Sequence, residues 1–508
     1  MAQVDQRTGL SPEDLIGIIG DYDGLMIRSG TQVTADVIAA ANQLKIIGRA
    51  GVGVDNVDVP AATQRGVLVV NSPEGNTIAA AEHALAMMLS LSRHVPQAHA
   101  GMRNGQWDRK NYVGNELYKK TLGVVGLGKI GSHVARVARA MGMDVIAYDP
   151  FIAADRAQQM QVRLTQLDEL FRMADYVTLH IPRTKDTENL VNAELLRSMK
   201  STARIVNCAR GGIVDEADLA EAVDNGVIAG AGLDVYASEP LAADSPLRSV
   251  ERGLVLTPHL GASTEEAQEN VAIDVAEQIR DVLLGLPARS AVNIPGLSAE
   301  IMERLKPQLQ LSETLGLLVS QLAGGQVQEL ELRLQGEFAK HPSQPLVIAA
   351  LKGMLSSALG DSINYVNASL EAKARGIHVL EVKDESSRDF AGGSVQLTSR
   401  GAQGGHSVTG AVFSDGELRI TSIDEFPVNV SPSRHMLFTR HRDMPGIIGH
   451  LGSLLGEHNV NIASMQVGRR IVRGDAVMVL SIDDPVPSAV LDTIRAVDGI
   501  QEAHPVTL

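Results

Sequence analysis

The chain has 508 residues, enough for three or four domains, and its charged and apolar fractions are those of an ordinary soluble protein. A formal charge of −15 argues against nucleic acid or an anionic membrane as partner, and no apolar run approaches the roughly 18 residues of a membrane span. The single cysteine, Cys208, excludes an intrachain disulfide and a cysteine-rich metal site. No metal is therefore expected, no signal peptide is read before the first helix, and the cytoplasm is the default compartment. Scarce aromatics and frequent glycine fit α/β layers.

Residues 1–78 alternate helix and strand patterns. Ser11-Pro12-Glu13 reads as a helix N-cap with Pro at the first helical position, and Thr34 caps VTADVIAAANQ. Strands are expected at GLMIRS, KIIGRAG and VLVVNSP, with PAATQRG a short helix between the last two. Arg28 and Arg49 fall at the C-terminal ends of two of these strands, the edge at which open α/β sheets bind ligands. Together with Ser29 and the Gly51-Val52-Gly53 turn, they favour binding of an anionic substrate. The stretch from Thr77 to Leu91 is an almost wholly apolar helix, expected to be buried between domains or subunits. In GQWDRKNYVGNEL, which follows, Trp107 reads as a packing residue.

The chain is organised around Leu122–Pro150. The run LGVVG reads as a buried strand, and Gly126, Gly128 and Gly131 follow at G-x-G-x-x-G spacing. Such spacing serves a tight turn, a close approach to a pyrophosphate and the packing of helix on strand. The helix SHVARVARAM points its N-terminal N–H groups at the phosphates. The next strand, DVIAYD, ends at Asp149, whose carboxylate suits a ribose 2′-OH and repels a 2′-phosphate, so NAD is the expected cofactor.

Four more strands each deliver a polar residue just past their C-terminal ends. DYVTLHIP ends at His180, ARIVNCARGG at Arg210, GAGLDVYASEP carries Asp234 and reaches Glu239, and GLVLTPHLGAST ends at His259. Hydride transfer from a 2-hydroxy acid needs a base, a carboxylate to orient it and a guanidinium to hold the substrate carboxylate. His259, Glu239 and Arg210 suit these roles in turn. Asp234 is placed to hold the nicotinamide carboxamide, and Cys208 reads as a small wall residue, not a nucleophile.

From about Glu265 a long amphipathic helix takes the chain back towards the first unit, and Pro287 and Pro295 mark a boundary. Residues 296–430 mix helix and strand, with a hairpin at FSDGELRI turned by Asp-Gly. The last segment reads β-α-β-β-α-β, a ferredoxin-like order. The expected domains are thus 1–78 with 265–295, a discontinuous flavodoxin-like substrate domain; 79–264, a Rossmann nucleotide-binding domain inserted in it; 296–430, α+β; and 431–508, ferredoxin-like.

GLGKIG, YDP, NCARGGIVDE, GLDVYASEP and PHLGAST closely resemble the D-isomer-specific 2-hydroxyacid dehydrogenases. RSGTQVTADVI, GRAGVGVDNVD, GQWDRKNYVGNEL and the two C-terminal units look like the long branch of that family, which carries an intervening regulatory domain and a terminal ACT domain. The resemblance implies a catalytic set of Arg210, Glu239 and His259. It implies an NAD site lined by Lys129, Ile130, Asp149, Cys208, Ala209, Asp234 and the His259–Ala262 segment, which includes Gly261. For that branch it implies oxidation of 3-phosphoglycerate to 3-phosphohydroxypyruvate, the entry step of serine synthesis, by a tetramer. The substrate phosphate would fall to Arg28 and Arg49, with Arg109 or Lys110 from a neighbouring subunit. The ACT positions His441, Asp443 and Asn461 match the family's ligands for L-serine as inhibitor. Family members usually begin with a further strand before the equivalent of Gln3, so the start is expected to be truncated or assigned downstream. Two alternatives stand beside this reading. One is another 2-hydroxyacid dehydrogenase such as a glyoxylate reductase, against which the C-terminal extension argues. The other is an NAD-sensing binding protein like the corepressors related to the family.

Overall fold

The computed structural model describes residues 3–294, 299–324, 327–386, 392–402 and 404–508. They form two compact units, one of Met1–Arg49, Val54–Asn71 and Ala276–Leu508, the other of Ala50–Gly53 and Ser72–Val275. Pro295, read as a boundary, lies outside the described residues.

The second unit is a seven-stranded parallel sheet. Its strands are β4 (Thr121–Val125), β5 (Asp144–Tyr148), β6 (Arg163–Leu164), β7 (Tyr176–Leu179), β8 (Arg204–Asn207), β9 (Gly230–Leu233) and β10 (Leu254–Leu256), in the order β10-β9-β8-β7-β4-β5-β6. Alternate residues bury on opposite faces, as the twofold period of a strand requires. Leu122, Val124, Tyr176 and Val206 join one core with the helices Thr77–Arg93 and Lys129–Ala140. Val125, Val177, Leu179, Ile205 and Leu233 join the other with Leu170 and Phe171. Each such side chain contributes roughly 1.5–3 kcal/mol on burial. Gly123 lies under Leu170, whose Cδ2 would stand 2.4 Å from an added Cβ. Strand order reverses between β4 and β7, so the crevice for a ligand opens at their C-terminal ends.

The first unit begins with a three-stranded parallel sheet of β1 (Gly24–Ile27), β2 (Ile46–Arg49) and β3 (Leu68–Asn71). Ser11 and Thr34 cap their helices as expected, Ser11 in a capping box with Asp14. After the Glu265–Leu283 helix the chain returns to this sheet. Val292 N–H donates to the Val69 carbonyl at 2.8 Å, and Gln278 donates to Asn71 O at 3.0 Å.

A second sheet of the same unit runs β12-β11-β13-β14-β15-β16: β11 (Val327–Gln335), β12 (His378–Asp384), β13 (Ser394–Gly401), β14 (Ser407–Val412), β15 (Leu418–Ile423) and β16 (Phe426–Val430). Gly416, at φ +85°, turns β14 into β15 at the expected Asp-Gly. The helices Lys306–Ala323 and Ser343–Leu359 cover this sheet and touch through glycine. A third sheet, β18-β19-β17-β20, consists of β17 (His435–Arg442), β18 (Ile462–Arg469), β19 (Asp475–Ile482) and β20 (Ile500–Thr507). It has the ferredoxin-like order. One face carries the helices Ile447–Glu457 and Ser488–Arg495. The other contributes Met436, Phe438, Val477, Val479 and Val506 to the core of the preceding domain, so the two C-terminal domains share one hydrophobic interior. Sequence periodicity did not foretell that fusion.

Candidate active site

The turn after β4 is built by steric need. Gly126 has φ +95°, and an added Cβ would stand 2.5 Å from the His180 carbonyl oxygen. At Gly131 an added Cβ would stand 2.0 Å from Gly126 O, so only glycine lets the helix close on the strand. At Gly128 an added Cβ meets nothing within 4 Å, and no side chain caps the N-terminus of the Lys129–Ala140 helix. Open space above uncapped N–H groups is what a pyrophosphate requires. Lys129 forms an ion pair with Glu74 at this edge, and Ile130 is half-buried.

Asp149 does more than the sequence suggested. Its Oδ2 accepts from Leu127 N–H at 2.8 Å, and its Oδ1 accepts from Phe151 N–H at 2.9 Å and Ile152 N–H at 3.2 Å. The carboxylate locks the glycine turn to the end of β5 and retains acceptor capacity for a ribose hydroxyl. His180, at the end of β7, is pushed down to about 4 by burial and is neutral near pH 7. Its Nε2 lies 2.9 Å from Thr178 Oγ1.

His259 and Glu239 come together past β10 and β9. His259 Nδ1 lies 2.7 Å from Glu239 Oε2, and Glu239 Oε1 accepts from Tyr236 N–H at 3.1 Å. A carboxylate only accepts, so Nδ1 carries a hydrogen, and in the neutral imidazole Nε2 is the acceptor. His259 adopts φ +55°, a left-handed conformation that costs a non-glycine residue on the order of 1 kcal/mol. Its N–H donates to Asp234 O at 2.9 Å, which holds it there with the ring half-exposed. Arg210 is anchored by its own backbone, where Asn207 Nδ2 donates to Arg210 O at 2.9 Å, and its Nη1 donates to Ala209 O at 2.7 Å. Ala209 N–H in turn donates to Asn207 Oδ1 at 3.0 Å.

Asp234 is fully buried after β9. It accepts from Thr257 Oγ1 at 2.5 Å, Leu260 N–H at 2.8 Å and Gly261 N–H at 2.8 Å, so it fixes the His259–Ala262 segment from below. His83 Nε2 lies 3.1 Å away. Burial pushes the Asp234 carboxyl up, but the hydrogen bonds from His83, Thr257 and Leu260 outweigh it and hold the group below the ordinary carboxylate range. Cys208 is pushed well up by burial and by the Asp234 charge, which fits a wall residue. His83 escaped sequence reasoning. The signal was a lone imidazole in an otherwise apolar helix.

The remaining expected site residues lie on other elements. Arg28 follows β1 and Arg49 ends β2, with Ile27 and Arg49 in register, so the two lie at one sheet edge. Ser29 is exposed, Val52 half-buried, and Gly51, at φ +147°, accepts from Ser72 N–H at 3.0 Å. Arg109 and Lys110 are exposed. Trp107 corrects its reading as a packing residue, since it is 78% exposed in the single chain. In the terminal domain, His441 is buried on β17 and lowered by burial, with no hydrogen-bond partner for Nδ1 among the described residues. Asp443 accepts from Arg469 Nη1 at 2.9 Å and Arg473 N–H at 3.0 Å, and Asn461 donates to Asp483 at 2.7 Å. His441 and Asp443 are electrostatically coupled, whereas Asn461 is engaged by Asp483. The two arginines were not foreseen.

Three family models match the chain. Residues 85–261 match the NAD-binding domain of D-isomer specific 2-hydroxyacid dehydrogenases, 304–424 the D-3-phosphoglycerate dehydrogenase intervening domain, and 435–499 the ACT domain. The D-3-phosphoglycerate dehydrogenase of a Synechocystis species is 63% identical over 100% of this chain and 91% of its own length. That of Methanocaldococcus jannaschii is 43% identical over 100% of this chain and 96% of its own. Among solved structures, the TT0316 protein of Thermus thermophilus superposes with a TM-score of 0.53 at 35% identity, covering 57% of this chain and 92% of that one.

Proposed function

The chain belongs to the D-3-phosphoglycerate dehydrogenases of the D-isomer-specific 2-hydroxyacid dehydrogenase family, and on that premise we propose that it oxidises 3-phospho-D-glycerate to 3-phosphohydroxypyruvate as the first step of L-serine synthesis. It is an NAD-dependent oxidoreductase. The observation that carries the mechanism is the 2.7 Å contact of His259 Nδ1 with Glu239, past the ends of β10 and β9 in the sheet whose β4 leads into the glycine turn.

NAD, when bound, supplies the acceptor for the hydride leaving C2 of the substrate. His259 Nε2 takes the hydroxyl proton as that hydride departs, and Glu239 stabilises the imidazolium that results. Arg210 holds the substrate carboxylate and polarises the oxygen that becomes the 2-oxo group. Gly126, Gly128, Lys129, Ile130 and Gly131 cradle the pyrophosphate, and Asp149 takes the ribose. Cys208, Ala209, Asp234, Gly261 and Ala262 wall the nicotinamide end. Arg28, Ser29, Arg49, Gly51 and Val52 receive the substrate's phosphate end.

With NAD and 3-phosphoglycerate the protein should release NADH and 3-phosphohydroxypyruvate in equal amounts. Unphosphorylated D-glycerate, which lacks about two charge-assisted contacts, should show kcat/KM lower by on the order of 10²-fold. Equal kcat/KM for the two would remove the phosphate from recognition.

The ACT match and the pairing of His441, near the end of β17, with Asp443 just past it support feedback by L-serine, and the exposed Trp107, Met102 and Val113 support a homotetramer, a dimer of dimers. No helix among the described residues is long and apolar enough to cross a membrane. Serine should bind and lower kcat without displacing NAD. Calorimetry on the whole chain and on Asn461→Ala decides this. No binding to the wild type, or unchanged binding to the variant, removes the serine site from Asn461.

A further inference from the structure

We propose that His83, Cys208 and Asp234 form a site for a thiophilic divalent cation of the Zn2+ class, and that the bound metal closes the nicotinamide end of the cofactor site. The three residues come from separate elements: the Thr77–Arg93 helix, the turn after β8 and the turn after β9. One ligand atom of each, imidazole nitrogen, thiol sulfur and carboxylate oxygen, lies within 4.8 Å of the other two.

The chemistry of the cluster favours a cation. Asp234 is a fully buried carboxylate that accepts hydrogen bonds from Thr257, Leu260 and Gly261 and has the His83 imidazole 3.1 Å from Oδ1. Its Oδ1 faces Thr257, Leu260 N–H and His83, while Oδ2 accepts from Gly261 N–H alone among the described residues. One lone pair of Oδ2 is therefore open to a metal. The Cys208 thiol holds its proton because burial and the Asp234 charge oppose a second anion there. A divalent cation reverses that balance. The S–H proton passes to solvent, the thiolate donates its pair to the metal, and site plus metal ends near neutrality.

One sulfur, one nitrogen and one oxygen select a borderline-soft ion. Mg2+ and Ca2+ take about six to eight oxygens and are disfavoured. Bond lengths of about 2.0–2.3 Å place tetrahedral ligands about 3.3–3.8 Å apart. The widest pair must close by about 1 Å, within reach of rotation about the Cα–Cβ bonds of Cys208 and His83. Water completes the fourth position. Competition with the cofactor rests on placing Cys208 and Asp234 beside the nicotinamide; the metal site itself does not.

The chain contains 14 histidines and one cysteine, so zinc uptake alone would not locate the site, whereas a thiolate-to-metal charge-transfer band has a single possible source. Cobalt(II) titrated into the full chain without NAD should give that band at one equivalent, and Zn2+ should displace it. Affinity should rise with pH, because a proton is released. Cys208→Ser should abolish the band, and His83→Gln should weaken binding at least about tenfold. No band in the wild type, or a band untouched by His83→Gln, overturns the proposal. In a second arm, the apparent Kd of NAD should rise in proportion to free Zn2+. A band with unchanged NAD affinity keeps the metal site and overturns its place in the cofactor pocket. Failure of the metal-free chain to bind NAD would instead count against the cofactor assignments.

Discussion

Gly128 and Gly131 sit in one turn, yet a methyl group added to each meets opposite surroundings. At Gly131 it stands 2.0 Å from the Gly126 carbonyl oxygen, so Gly131→Ala must separate helix from strand and lower stability. At Gly128 it meets nothing within 4 Å, and the backbone there is extended at φ −63°. Gly128→Ala should leave the melting temperature within a few degrees of wild type. It should weaken NAD binding at least about tenfold, because the methyl occupies the pyrophosphate's space. Unchanged NAD affinity in Gly128→Ala would place the phosphates elsewhere. The spacing of these glycines was plain in the sequence, because a local turn is specified by adjacent residues. The approach of His83 to Asp234 was not, since the two are separated in the chain by six strands of the sheet. The three backbone bonds to Asp149 were equally hidden, because any Asp at a strand end fits the ribose pattern.

Helix packing in the intervening domain depends on glycines in the same way. The helices Lys306–Ala323 and Ser343–Leu359 cross at Gly316 and Gly353. An added Cβ would stand 2.1 Å from Ala350 O at the first and 1.9 Å from Glu313 O at the second. On an exposed helix, Gly→Ala stabilises by roughly 0.5–1 kcal/mol. Here the sign should reverse: Gly353→Ala should destabilise by about 1–3 kcal/mol, the usual cost of overpacking. Urea unfolding followed by a probe in this domain checks it, and a gain in stability would contradict the packing. Both helices were legible as apolar runs, but the crossing point was not, since glycine in a helical pattern reads only as a weak position.

At the scale of the molecule, the intervening and ACT domains share a core and, at its rim, a group of ionisable side chains. His406 Nδ1 lies 2.9 Å from Asp424, and its ring meets that of His504 edge-on at 6.1 Å. Glu502 and Arg440 lie close by. The hydrogen bond to Asp424 raises His406 above its ordinary value, whereas burial lowers His504. A raised folded-state value means that the His406 contribution is complete below about pH 6.5 and is lost as pH rises through the folded value. His504 acts in the opposite sense, favouring the fold above about pH 6.5 and losing its contribution as pH falls through its lowered value. His406→Gln should therefore cost more stability at pH 5.5 than at pH 8.5, by about 1 kcal/mol or less for a partly exposed pair. An equal loss at both values would show that the pair is not charged. The domain order was visible in the sequence because strand and helix periods alternate. The joint between the last two domains was not, because it is made by one face of β17 and β19 against residues some 100 positions earlier.

The most direct test of the account compares wild type with His259→Ala in 3-phosphoglycerate oxidation, with NAD affinity measured on both by calorimetry. Loss of the base should lower kcat on the order of 10²–10⁴-fold and leave the Kd of NAD within a few-fold of wild type. Near-normal turnover of 3-phosphoglycerate by His259→Ala would contradict it.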